Sequence, residues 1–196
     1  MSEPNSISSH ISKLDIIENH LLASIQMIAL EMNPVSTHVI VMACEEMILG
    51  LADARNVLLD FDYRIYIKDE FHKQYRKQVR KSYNFFKHAD EDPNDNYDGP
   101  SEDELCDVNE LLTIMNAIGY KKLGGTNSRE VTDKFSIAMM IKTPALFKTE
   151  WLNEYPELKR AYEDAKTKPQ YANAALRQVL FNQGLLPEIP YRGAAV

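Results

Sequence analysis

Apolar residues recur along this chain at three- and four-residue steps, the spacing that lines one face of an α-helix. Ile7, Ile11, Leu14, Ile17, Leu21, Ile25 and Ile28 keep that rhythm and predict a long first helix. It is expected to stop at Asn33-Pro34, because proline interrupts the helical hydrogen-bond ladder. Ser36 then reads as the cap of a second helix, which carries Ile40, Val41, Cys44, Met47, Ile48 and Leu51 to about Arg55. This segment is apolar almost all round and is predicted to be the central buried helix, interrupted only by Glu45 and Glu46. The stretch Val57–Ile67 offers no partner strand and reads as an irregular connection.

A third helix is predicted over Lys68–Ala89, with Phe71, Tyr75, Val79, Phe85, Phe86 and Ala89 on its apolar face. Ser101-Glu102-Asp103-Glu104 is a capping box that opens a fourth helix through Leu105, Val108, Leu111, Leu112 and Met115 to Gly119. Asn127 and Glu130 are expected to cap a fifth through Val131, Phe135 and Met139. Trp151–Ala165 and Pro169–Asn182 read as two more. The fold class is therefore all-α, a bundle of six or seven helices. Residues 1–183 are expected to form one helical domain, and 184–196, with Pro187 and Pro190, an extended tail. Leu22, Ile25, Ile40, Cys44, Ile48 and Phe86 lie on apolar faces and are expected to be largely buried.

Composition narrows the picture only modestly. A chain of 196 residues suits one domain with a real core. The net charge of −7 disfavours nucleic-acid binding over the whole surface but leaves room for a local basic patch. Met1–Ser12 has no basic stretch followed by an apolar one, and no apolar run reads as a membrane span, so a cytoplasmic location without membrane contact is expected. Cys44 and Cys106 lack metal-ligand spacing, and Cys44 reads as a buried thiol in a reducing compartment.

The chemistry concentrates in one place. Lys68–His88 carries seven lysines and arginines, and Asp90–Asp107 carries nine acidic residues and no basic one. Either the basic helix offers a phosphate-binding face beside a regulatory or metal-binding acidic loop, or the loop folds back and the two neutralise each other on a solvated surface. Arg76, Arg80, Asn84 and His88 recur every four residues on the side away from the phenylalanines. His88 ends its helix and could exchange a proton near neutral pH, with Asn84 one turn back to orient it. Equally, His88, Asp90 and Asp92 could form a structural helix corner closed by Pro93. Asn94-x-Asn96-x-Asp98-Gly99 imitates a calcium loop, but Leu105 stands where a bidentate glutamate is needed. Glu45 and Glu46 with His88, Asp90 or Asp92 would be the makings of a carboxylate–histidine metal site, although no Glu-x-x-His pair occurs. The blander reading pairs one of these glutamates with an arginine such as Arg80.

Two stretches carry a resemblance. Asp15–Gly50, with its Pro34-Val35-Ser36-Thr37-His38 start, and the decapeptide Asn84–Pro93, N-F-F-K-H-A-D-E-D-P, resemble a group of small, uncharacterised bacterial α-helical proteins. There a long first helix and the same two motifs recur in this order. The likeness covers about Leu14 to Leu112 and more loosely the stretch to Trp151. More distantly, the chain is similar to the HEPN superfamily of helical bundles. Many of those dimerise and cleave RNA without a metal or other cofactor, through an arginine and a histidine with four to six residues between them. Here seven residues separate Arg80 from His88. A homodimer would offset that by bringing His88 of one chain to Arg80 or Arg76 of the other. The resemblance implies an RNA-binding or metal-independent RNA-cleaving protein. His88 would act as general acid or base on a ribose 2′-hydroxyl, Arg80 with Arg76 or Lys87 would stabilise phosphate charge, and Asn84 would orient the imidazole. The alternative is a non-catalytic interaction module, with a protein partner at the acidic loop 90–107.

Overall fold

A computed structural model describes residues 11–61, 69–70, 72–73, 77, 80–88, 94, 96–142, 156, 159–160, 163, 167–168 and 172–186. Among them are six helices and no strand: α1 (Lys13–Ala29), α2 (Pro34–Ala54), α3 (Lys81–Lys87), α4 (Glu102–Lys122), α5 (Arg129–Lys142) and α6 (Ala172–Asn182). The chain is all-α, as its periodicity predicts.

The boundaries differ from the expected ones for local reasons. Ser12 and Asp15 form a capping box that starts α1, so Ile11 precedes the helix and is 70% exposed. Ile7 lies outside the described residues. The helix also ends earlier, at Ala29, in a left-handed turn at Glu31 (φ 53°) closed by Met32 N–H to Met27 O and Glu31 N–H to Ile28 O. Asn33, not Ser36, caps α2: its side chain accepts from the Ser36 N–H, and Pro34 occupies the first turn, where no amide donor is required.

The predicted third helix is broken by a turn at Arg80, after helical residues at 69–70, 72–73 and 77, and only Lys81–Lys87 follows as α3. Gly119 does not end α4. The helix runs on to Lys122, because Gly119 is a contact position: a Cβ there would lie 2.7 Å from Ile48 Cγ2 and 3.0 Å from Phe61 Cζ. The true stop is Gly124, at φ 94°. Trp151 and most of 143–171 lie outside the described residues, as does 187–196 of the expected tail. Leu185 and Leu186 pack against the core, and Gln26 donates to the Leu185 carbonyl.

Helix α2 is the centre, packed chiefly on α1 and α4. By length and composition α2 is apolar enough to cross a membrane, which revises the reading that no such run exists. In this fold it is a core helix. Ile17, Leu21 and Ile25 of α1 meet Cys44 and Ile48 of α2, Tyr120 of α4, Phe135 of α5 and Leu176 of α6 in one cluster. Ile25, Cys44 and Ile48 are fully buried as expected, whereas Leu22, Ile40 and Phe86 are only partly so. The Cys44 thiol donates to the Ile17 carbonyl, and burial, with Glu45 beside it, pushes its pKa up to about 12.

Two asparagines one heptad apart tie α4 to α2. Asn109 donates to the Pro34 carbonyl (2.9 Å) and Asn116 to the Val41 carbonyl (2.9 Å), so the two helices run parallel in fixed register. At the far end, Glu18 of α1 accepts from Asn127 (3.3 Å) and Ser128 in the turn before α5.

Candidate functional site

The short helix α3 carries the residues singled out in the sequence, and α2 determines where each one goes. Arg80, at the start of α3, donates to Glu46 Oε1 at 2.7 Å, and Tyr83 donates to Glu46 Oε2 at 3.2 Å. One turn on, Phe86 meets His38 edge-on, with ring centroids 6.1 Å apart. Glu46 and His38 stand two turns apart on α2, so α3 lies antiparallel to it, held at both ends. Glu46 is thus the glutamate paired with Arg80, while Glu45 is half-buried, and burial raises its carboxyl pKa against the lowering influence of Arg80.

His38 is the residue that sequence reasoning missed. It is 2% exposed, and its Nδ1 lies 2.8 Å from Asn109 Oδ1. Because the Asn109 amide nitrogen already donates to Pro34, its oxygen must accept, so Nδ1 carries the proton. Nε2 is then an unprotonated nitrogen, buried without a hydrogen-bond partner. Burial lowers the His38 pKa, opposed by the Asn109 bond. The two resembling motifs therefore meet in space: His38 of the first packs on Phe86 of the second. The available signal was a histidine at a helical step from Val41 and Cys44 on an apolar helix.

The loop beyond the motif folds back on α3. Tyr97 packs against Phe85 (5.4 Å) and Phe86 (4.8 Å), its hydroxyl hydrogen-bonds Ser82 at 2.8 Å, and Asp98 pairs with Lys81 at 2.5 Å. Of the two readings of the charge pattern, this part of the loop follows the neutralising one. Asp98 is engaged by that lysine, which lowers its pKa. Among the described residues, no group of three or more His, Cys, Asp or Glu is placed to hold a metal ion.

The expected catalytic set is only partly brought together. Arg80 and Asn84 line a shallow groove of about 570 Å³ with Asp69, His72, Lys73 and Lys77. His88 is not among its lining residues. It caps the C-terminal end of α3, its N–H donating to the Asn84 carbonyl at 3.0 Å. Eight residues of helix amount to about 12 Å of rise, which places Arg80 and His88 at opposite ends of the segment. Asn84 is exposed, and Lys87 stacks its ammonium over the Tyr83 ring, 5.1 Å from the centroid. Arg76, Asp90 and Asp92 lie outside the described residues. His72, three residues from Asp69 and 3.6 Å from its carboxylate, is the histidine of the groove.

Compared with models of known families, with curated proteins and with solved structures, the chain matches none.

Proposed function

We propose that this is a HEPN-like cytoplasmic protein that binds RNA along the basic groove and does not cut it. The observation that carries this reading is the groove itself, where, among the described residues, Lys73, Lys77, Arg80, His72 and Asn84 converge with Asp69 as the lining carboxylate. Lys73 and Lys77 are exposed and lie four residues apart. Helical rise separates such a pair by about 6 Å, close to the spacing of successive phosphates on an extended strand. Their ammonium groups supply the non-specific electrostatic attraction on which nucleic-acid affinity largely rests. Asn84 adds a neutral donor and acceptor at the rim. The likeness to HEPN proteins is what selects RNA as the polymer.

The placement of Arg80 and His88 within one chain supports binding without cleavage. A metal-free mechanism needs a proton-transferring group and a charge-stabilising one within hydrogen-bond reach of the same phosphodiester. Arg80 is instead bonded to Glu46, and His88 caps the other end of α3. In this reading the decapeptide Asn84–Pro93 is a structural corner, and near its start Phe86 anchors α3 against His38 of α2 while Phe85 and Phe86 both pack on Tyr97. The test is fluorescence anisotropy with a labelled single-stranded RNA. Lys73→Glu/Lys77→Glu should weaken binding more than tenfold, and the RNA should be recovered intact. Cleavage that disappears in His88→Ala would overturn the non-catalytic reading, and wild-type protein that leaves the RNA unbound would overturn the whole proposal.

A further inference from the structure

Helix α4 has a second face that is not in the core cluster of the described residues. Val108, Leu111 and Ile118 are 37%, 44% and 44% exposed, and Met115 between them is half-buried. Their spacing of three, four and three residues is the a/d rhythm of a helix–helix seam, and at 100° per residue all four fall within one narrow stripe. The same stripe begins at exposed Glu104 and ends at exposed Lys122. Asn109, Thr113 and Asn116, on the opposite side, are buried toward α2.

We infer that this stripe is a self-complementary interface and that its occupant is α4 of a second copy of this chain, running antiparallel. In that arrangement Val108 faces Ile118 of the second copy, Leu111 faces its Met115, and Glu104 faces its Lys122. All three pairs are centred on the level of Thr113, so a single two-fold axis satisfies them together, as an isologous contact requires. Charge fixes the direction. The first turn of α4 holds Glu102, Asp103 and Glu104, and its last turn holds Lys121 and Lys122. A parallel pairing would set acid against acid and lysine against lysine, whereas the antiparallel one sets them across from each other. Glu104 and Lys122 are bonded locally, to Ser101 and Asp60, so they contribute orientation more than affinity.

A standard interface buries about 800 Å² per partner, more than four side chains supply. Leu58, 67% exposed in the loop whose Asp60 binds Lys122, lies at the same end of the helix and extends the apolar area. The inference rests on the α4 stripe with Leu58 beside it and is independent of the RNA groove.

The test is analytical ultracentrifugation combined with cysteine cross-linking in a Cys106→Ser background. The wild-type chain should sediment as a dimer at micromolar concentration, and Leu111→Glu as a monomer with an unchanged helical circular-dichroism spectrum. Val108→Cys/Ile118→Cys should oxidise to a covalent dimer, while Val108→Cys alone should not, because an antiparallel seam keeps identical positions apart. A monomeric wild type would overturn the proposal and leave the stripe to a different partner. A dimer that survives Leu111→Glu, or that cross-links through Val108→Cys alone, would overturn the interface or its direction.

Discussion

Asn109 is the side chain that joins α4 to both His38 and Pro34 of α2, and replacing it with alanine measures how firmly that junction is built. The residue is 1% exposed, accepts from His38 Nδ1–H at 2.8 Å and donates to the Pro34 carbonyl at 2.9 Å. Asn109→Ala removes both bonds without removing the groups that made them. A net hydrogen bond lost at Pro34 is worth about 1 kcal/mol, and the stranded His38 N–H costs roughly 1–3 kcal/mol of uncompensated desolvation. The expected destabilisation is about 2–4 kcal/mol, which in a chain of this size lowers Tm by roughly 5–15 °C. Urea unfolding followed by circular dichroism gives the number directly. A double-mutant cycle with His38→Phe should recover a coupling of at least about 1 kcal/mol, since the phenyl ring has no N–H to strand. A loss below about 0.5 kcal/mol, or strict additivity in the cycle, would refute the buried His38–Asn109–Pro34 network as a source of stability.

Three further outcomes follow from the packing and the charges. Gly50→Ala should stabilise by about 0.5–1 kcal/mol, because a Cβ there meets nothing within 4 Å in a helix interior; Gly119→Ala, despite the same gain in helix propensity, should destabilise by about 1–2 kcal/mol through its clash with Ile48. His38, whose folded pKa lies below its ordinary value of 6.5, binds a proton more readily unfolded than folded, so stability should fall as pH drops below about 6.5, and His38→Phe should flatten that slope in urea titrations at successive pH values. Glu45, with a carboxyl pKa raised by burial, favours the folded state below its ordinary value of 4.5 and loses that contribution as pH rises, so Glu45→Gln should raise the urea midpoint at neutral pH.

The fold was legible in the sequence wherever one helix face is apolar and its end is marked by a cap. Ser101 and Glu104 identified the start of α4 correctly, because a capping box is a local device that tertiary contacts rarely override. The same device at Ser12 and Asp15 was legible too, but the apolar rhythm through Ile11 masked it. Gly119 was misread as a stop because a glycine in a helical pattern can equally serve close approach, and only the neighbour, Ile48, decides which. The turn at Arg80 has no sequence marker, neither proline nor glycine; Arg80 pairs there with Glu46, which lies far off in sequence on α2. For the same reason the candidate site was half legible. Arg80 and Asn84 share a groove as helical spacing suggested, but His72 is the histidine beside them, whereas His88 stands at the opposite end of α3 from Arg80. His38 and Asn109 could not be matched in advance, because they lie 71 residues apart and nothing local links them.

The most direct test of RNA held by phosphate contacts in the groove is the salt dependence of binding. Affinity for a labelled single-stranded RNA should be measured across a salt series for the wild-type chain and for Lys73→Gln/Lys77→Gln. Each phosphate contact on a single strand contributes about 0.7 to the slope of log affinity against log salt, so the double variant should lose about 1.4 from that slope, while His88→Ala keeps the wild-type slope and affinity. A slope unchanged by removing both lysines, or affinity that falls with His88 and not with them, would contradict the account.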